Sequence, residues 1–362
     1  MSWSAFYAPM KSPRHPVPSG DRRIARLLLA ALDRAGLAPR LVSELRTLDL
    51  EGCATEEARL AALAEAETAR LCAALRSDPP ALWFSYHCHY KAPDLVGPSV
   101  AHALGIPYVL AEPSISPKRR AGPHAAFAEA SETAIAAADR LFWTTERDRP
   151  ALEAAGHGPR LRHLPAFLEP GARVLPRDAS APLRLLTVAM MRPGDKAESY
   201  RRLAAGLGRL AGSWQLSVIG SGPAEAEVRA CLAAFGSRAT VTPAIEDDAR
   251  LRAAYEAADL LLWPGVGEGV GMVWLEAQAA GLPVGAEDGP AARALVAEAP
   301  AGGLLAEPDD PDAFAAAVTA AARDRARLSA QASQRVRARH SLDAAARRLA
   351  AELIPLAGRT AA

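Results

Sequence analysis

A chain of 362 residues is longer than one compact core usually serves, so two domains are expected. Half of its residues are hydrophobic, which excludes a disordered chain. Its 42 basic and 41 acidic side chains leave a net charge of +1, which excludes a general nucleic-acid binder and its basic stripe.

In chain order, short apolar runs alternate with longer helical ones. The first half offers strands at Ser4–Ala8, Arg40–Ser43, Leu82–Tyr86, Pro107–Ala111 and Arg140–Thr144. Helices are expected between them at Gly20–Ala35, Thr55–Arg76, Asp94–Leu104 and Ala121–Ala138. Prolines and glycines interrupt Leu164–Leu183, where no periodicity survives, and the hinge is expected there. The second half offers strands at Leu183–Val188, Gln215–Ile219, Ala239–Thr242, Leu260–Trp263, Val284–Ala286 and Gly303–Ala306. Its helices are expected at Lys196–Leu210, Ala224–Phe235, Asp247–Ala257, Gly271–Ala280 and Ala291–Glu298, and the tail from Pro311 is helical in character. Parallel neighbours need a crossover, so strands alternating with helices imply two doubly wound α/β sheets. The domain expectation is 1–168, a linker at 169–182, a second domain at 183–340, and a C-terminal helix at 341–362 that packs back on the first domain.

Cys53, Cys72, Cys88 and Cys231 form no CxxC pair, so neither a disulfide framework nor a zinc ribbon is expected. The amino terminus lacks the basic-then-apolar order of a signal peptide, and no stretch is long enough to span a bilayer. A cytoplasmic protein is the simplest reading, with peripheral attachment to the inner face of a membrane left open.

Ligands of open α/β sheets bind beyond the carboxyl ends of the strands. The segment Leu260–Val284 there reads as a buried strand, a loop with Gly265, Gly267, Gly269 and Gly271, and a helix stopped by Gly281 and Pro283. The glycines allow close approach of backbone to a ligand, and the amides at the helix start, near Val270–Met272, would point at an anion. Glu268 lies in the loop and Glu276 in the helix, on a face shared with Met272, Ala279 and Ala280. A carboxylate on an apolar face needs partners, and vicinal sugar hydroxyls can supply them. After the first strand of this half, Arg192 and Lys196 sit beyond the carboxyl end, where cations would neutralise a diphosphate; a solvated basic turn is the alternative.

EGVGMVWLEAQAAGLPV resembles the signature of the family-4 retaining glycosyltransferases, in which two glutamates are likewise separated by seven residues. The resemblance implies the GT-B fold, two Rossmann-like domains facing across a cleft that closes on its substrates. It implies a nucleoside diphosphate sugar as donor, a hexosyl group transferred with retention, and no metal or other cofactor. Glu268 would contact the donor hexose, Glu276 the ribose, and Arg192 and Lys196 the diphosphate. The diphosphate would itself accept the acceptor's proton. The Gly220-Ser221-Gly222-Pro223 turn is also similar, which gives Gly220 a backbone role near the nucleotide. Gly20 matches one of two adjacent glycines of the family, with Ser19 in place of the other; a capped helix without a ligand is the alternative.

The acceptor is expected in the first half, at His87, Tyr90 and Lys91, with a structural histidine as the alternative. His87 and His89 also have metal-ligand spacing, but no third ligand is suggested. Glu112 stands where many family members carry histidine. Lys118, Arg119 and Arg120 read as a solvated run, with attraction to an anionic acceptor or membrane as the alternative. The Asp-rich stretch Glu307–Phe314 reads as a helix start rather than a metal motif. The resemblance covers nearly the whole chain and is specific over Arg192–Val284. A sugar-nucleotide epimerase of the same shape and a non-catalytic sugar-nucleotide-binding protein are the alternatives.

Overall fold

The computed structural model describes residues 3–17, 19–171, 182–299 and 301–358. The chain divides into two compact units, Met1–Pro165 with Leu342–Ala362, and Ala166–Ser341. Most of the expected linker, 172–181, lies outside the described residues.

The first unit holds β1 (Ser4–Tyr7), α1 (Gly20–Arg34), β2 (Pro39–Leu41), α2 (Ala54–Leu75), β3 (Leu82–Tyr86), α3 (Gly97–Leu104), β4 (Tyr108–Ala111), α4 (Ala125–Ala137), β5 (Arg140–Trp143), α5 (Arg149–Ala154) and β6 (Leu161–His163). Its parallel sheet runs β2-β1-β3-β4-β5-β6. The second unit holds β7 (Leu183–Val188), α6 (Asp195–Arg209), β8 (Trp214–Ile219), α7 (Glu225–Leu232), β9 (Ala239–Thr242), α8 (Asp248–Ala257), β10 (Leu260–Leu262), α9 (Met272–Ala279), β11 (Val284–Glu287), α10 (Pro290–Ala292), β12 (Gly303–Ala306), α11 (Pro311–Arg323) and α12 (Arg325–Arg339). Its sheet, also parallel, runs β12-β11-β10-β7-β8-β9. In each sheet the strand order reverses beside the unit's first strand, between β1 and β3 and between β7 and β10, which creates a crevice at the strands' carboxyl ends.

Burial explains the strand pattern. Central β1, β3 and β10 are covered on both faces and read as unbroken buried runs. β8 alternates buried and exposed over its first half, and edge strand β9, Ala-Thr-Val-Thr, alternates partly buried and exposed. Two short elements escape the sequence reading, β6 and α5. The helix expected at Ala224–Phe235 ends early, at Leu232, in a 3-10 stretch. The one expected at Ala291–Glu298 is a single α turn followed by a π turn. Asp310 caps α11 by accepting from the Ala313 amide at 2.8 Å with Pro311 next, the helix start that Glu307–Phe314 predicts.

A final helix, α13 (Leu342–Gly358), packs against α1 in the first unit. Arg34 pairs with Asp343 at 2.8 Å, and Glu352 receives Arg140 and Arg162 at 3.1 and 2.9 Å. The cysteines are free, and no helix among the described residues is long and apolar enough to cross a membrane.

His340 closes the second unit. Its Nδ1–H donates to the Ala166 carbonyl at 2.7 Å, and its own carbonyl accepts from Leu168. Burial, aided by the charge of Arg335, outweighs that bond and pulls its pKa down to about 4. The unfolded histidine takes its proton near pH 6.5 and the folded one only near 4, so stability falls as pH drops through that window. From pH 7 to 5 this group removes about 2 kcal/mol. His340→Gln keeps a donor for Ala166 without the titration. Its urea-unfolding free energy is expected to lose less over that pH range than the parent's, and parallel losses would refute the assignment.

Candidate functional site

The second unit's crevice is formed by the loop from β7 to α6 and the loop from β10 to α9. Gly194 precedes α6, whose first turn carries Lys196, with Ser199 opening the second. The Ser199 hydroxyl donates to the Asp195 carbonyl at 2.8 Å and accepts from the Val266 amide at 3.0 Å, which fastens the two loops together. Gly267 is left-handed at φ +66°, and an added Cβ would meet the Asp195 carboxylate, so this crossing favours glycine.

On that base the structure brings Lys196 and Glu268 into direct contact. The Lys196 ammonium pairs with Glu268 Oε1, the same oxygen that accepts from the Trp263 indole N–H at 2.8 Å. The ammonium also lies 5.2 Å from the Trp263 ring centroid, within cation–π range. Trp263 is fully buried, held by Tyr200 edge-on at 5.1 Å, and its carbonyl accepts from the Trp274 indole at 3.2 Å. A cation and a carboxylate, both half-buried, are thus set on a rigid aromatic floor. Such a site can meet a diphosphate with the cation and hydroxyl groups with the carboxylate.

Glu276 projects from α9 half-buried, and its Oε2 accepts from the Tyr255 hydroxyl of α8 at 2.8 Å. Gly271 caps α9, with Gly269 and Val270 half-buried ahead of it. Arg192 is exposed on the loop before α6, and its carbonyl accepts from Ala197. Gly220 has a packing reason of its own, because a Cβ would strike the Ala189 carbonyl beyond β7.

In the first unit, α1 starts at Gly20, and the Ser19 side chain accepts from the Arg22 amide at 3.2 Å. Asp21, in the first turn, lies 3.3 Å from His87 Nδ1 at the end of β3, so the two elements flanking that crevice meet at this contact. Burial lowers the His87 pKa, but the carboxylates of Asp21 and Glu112 outweigh it and raise the value overall. Burial pushes the Glu112 carboxyl up, with His87 opposing. His87 and Glu112 both hold left-handed backbone, at φ +65° and +56°, a cost of about 1–2 kcal/mol each for side chains of this kind. Strain of this sort gathers at functional sites.

His89 stands edge-on to His87 with ring centroids 4.8 Å apart. Burial and the neighbouring His87 charge depress its pKa to about 3, so it stays neutral, accepting from the Lys91 amide at Nδ1 and facing the Met10 sulfur with Nε2. It is a structural imidazole. Tyr90 is half-buried, with Arg119 5.2 Å and Lys91 5.8 Å from its ring centroid.

The loop bearing these groups is anchored from below by Asp94. Its Oδ1 accepts from the Val96 and Gly97 amides at 3.0 and 2.7 Å. Its Oδ2 accepts from the Tyr108 hydroxyl at 2.8 Å and from Ser85 Oγ, which accepts in turn from the Trp83 indole at 2.8 Å.

The sequence reading missed Trp263 as the donor to Glu268, Tyr255 as the donor to Glu276, and Asp21 beside His87. Only the first had a local signal, a tryptophan five residues before the glutamate.

Residues 182–324 match the family described as glycosyl transferases group 1. Solved structures share the fold. Sucrose-phosphate synthase from Thermosynechococcus elongatus is 18% identical, with a TM-score of 0.69 over 99% of this chain and 100% of that one. The lipopolysaccharide outer core galactosyltransferase WaaB is 15% identical, with a TM-score of 0.68 over 96% and 98%. HepE from Anabaena in complex with UDP is 15% identical, with a TM-score of 0.69 over 98% and 100%. No curated protein matches the chain. The group 1 match is confined to residues 182–324, and the two parallel six-stranded sheets give the chain the GT-B fold of these solved structures.

Proposed function

We propose that the protein transfers a hexosyl group, with retention, from a nucleoside diphosphate sugar to a hydroxyl-bearing acceptor. The observation that carries this reading is the Lys196–Glu268–Trp263 contact at the second sheet's crevice, inside the segment matching the group 1 family. HepE has been solved with UDP and with UDP-glucose, which supports a nucleotide sugar as the donor here.

The donor diphosphate takes the Lys196 ammonium, with Arg192 as a second cation. Glu268, released from that pair, accepts from the hexose hydroxyls. Glu276 accepts from the ribose hydroxyls while Tyr255 steadies its other oxygen. Gly269, Val270 and Gly271 present backbone to the sugar and phosphates, and Gly20 and Gly220 support the loops at the first and second crevices. The bond from the anomeric carbon to the phosphate oxygen breaks. The bond from that carbon to the acceptor oxygen forms on the same face. The acceptor's proton passes to the departing diphosphate oxygen. Lys196 stabilises the charge that grows there, an effect worth roughly 3–4 kcal/mol for one well-placed group. None of these steps calls for a metal. His87, Tyr90, Lys91 and Glu112 form the acceptor side, His87 and Glu112 orienting a hydroxyl.

Thermal-shift titration with UDP-, GDP- and ADP-sugars tests the reading, because a ligand of the folded form raises the melting temperature. One donor class is expected to raise it, and Glu276→Ala to weaken that response at least tenfold. Indifference to every nucleotide sugar, or an unchanged response in the variant, would overturn the ribose assignment. A labelled donor without acceptor that returns an altered sugar nucleotide would identify an epimerase instead.

A further inference from the structure

The first unit buries a second group of ligating side chains, unrelated to the donor-side reading. Asp49 precedes α2, Glu57 lies in the first turn of α2, and His124 lies at the start of α4. Each is only 5% exposed. One donor atom from each lies within 4.8 Å of the others. Glu57 Oε1 and His124 Nδ1 are 3.7 Å apart, too far for a hydrogen bond, and both are buried without a hydrogen-bond partner. A buried carboxylate and imidazole aimed at one point and left unpartnered are costly unless something sits between them.

We propose that Asp49, Glu57 and His124 bind one divalent first-row transition cation, of which zinc is the representative probe. One imidazole and two carboxylates suit such ions. Two donors about 2.1 Å from a common cation stand up to about 4.2 Å apart, so a small contraction of the present spacing completes the shell. The charges balance as well, because two carboxylates and a neutral imidazole compensate a doubly charged ion.

The surroundings are already built to hold these ligands. Asp49 Oδ1 and Oδ2 accept from the Glu51 and Cys53 amides at 2.9 and 2.7 Å, which fixes the carboxylate before any ion arrives. Gly52, at φ +74°, lets the loop press on Pro123, where a Cβ would come 2.6 Å from that proline's own Cβ, so the Asp49 and His124 segments are clamped together. The Tyr90 ring stands edge-on to His124 with centroids 5.2 Å apart, and the Asp49 amide donates to the Lys91 carbonyl at 2.9 Å. The cation therefore ties α2 and α4 to the loop that carries Tyr90 and Lys91, as a structural clasp.

The full chain, stripped with a chelator and desalted, is titrated with Zn2+ and with Co2+ by calorimetry and thermal shift. One equivalent is expected to bind and to raise the melting temperature by roughly 5 °C or more at saturating metal. Co2+ should develop visible absorption of a site with few ligands. Glu57→Gln and His124→Gln are expected to lose the tight equivalent and the shift. A stripped parent that binds neither ion and does not change its melting temperature overturns the proposal without any variant. Full stoichiometry retained in both variants overturns it too, by placing the ion elsewhere.

Discussion

Lys196→Ala is expected to lower kcat by about two to three orders of magnitude while leaving the melting temperature within a degree or two of the parent. In the proposed reaction the catalytic loss follows from removing the cation set against the departing diphosphate, a contribution typical of a preorganised group aimed at developing charge. Donor affinity falls as well. Glu268 Oε1 would keep the Trp263 indole and lose its positive partner, so the arriving diphosphate would meet a half-buried anion. Stability changes little because the ammonium retains a quarter of its exposure, and solvent screens such a pair. Lys196→Arg keeps the charge on a planar fork that the Trp263 floor and Ser199 loop were not shaped for, so partial activity is expected. Steady-state kinetics beside a melting curve separate these effects. A Lys196→Ala enzyme with the parent's kcat would remove Lys196 from the chemistry.

The largest loss of stability is expected from Asp94→Ala, about 3–5 kcal/mol in urea unfolding of the first unit. Asp94 is buried and gathers the Val96 and Gly97 amides, the Tyr108 hydroxyl and the Ser85 hydroxyl. Alanine strands all four donors in a place water cannot reach. Asparagine does no better at Oδ2, where an amide NH2 would face two hydroxyl donors. The damage should extend upward, because Asp94 sits under the loop of His87, Tyr90 and Lys91. A residual fold in Asp94→Ala is therefore expected to lose acceptor binding before donor binding. A variant within 1 kcal/mol of the parent would show that the network is replaceable.

How far the sequence could be read depended on how local each signal was. Leu82–Tyr86, Leu183–Val188, Ala239–Thr242 and Gly303–Ala306 were legible to the residue, because three of them carry dense apolar runs and all are flanked by turns. β6 was not. Its three residues include Arg162 and His163, and what makes them a strand is pairing with β5, which no local pattern encodes. The glycine loop, Glu268 and Glu276 were legible as one contiguous segment. Their partners were less so, since Tyr255 precedes Glu276 by 21 residues and Lys196 precedes Glu268 by 72. Asp49, Glu57 and His124 were invisible for the same reason. Asp49 sits in the loop before α2 and Glu57 in an ordinary helix start, and His124 joins them only through the packing of Pro123, just before α4, on the loop around Gly52.

The seating of α13 on α1 sets an order of events during synthesis. Residues 342–358 belong to the unit whose sheet is encoded by the first 165, so that unit receives the partners Asp343 and Glu352 of Arg34, Arg140 and Arg162 only after residues 166–341 have been made. The unit encoded in the middle, 166–341, is uninterrupted and can mature first. Chains halted at residue 341 would therefore carry a finished second unit and a first unit with an apolar flank of α1 still waiting for its cover.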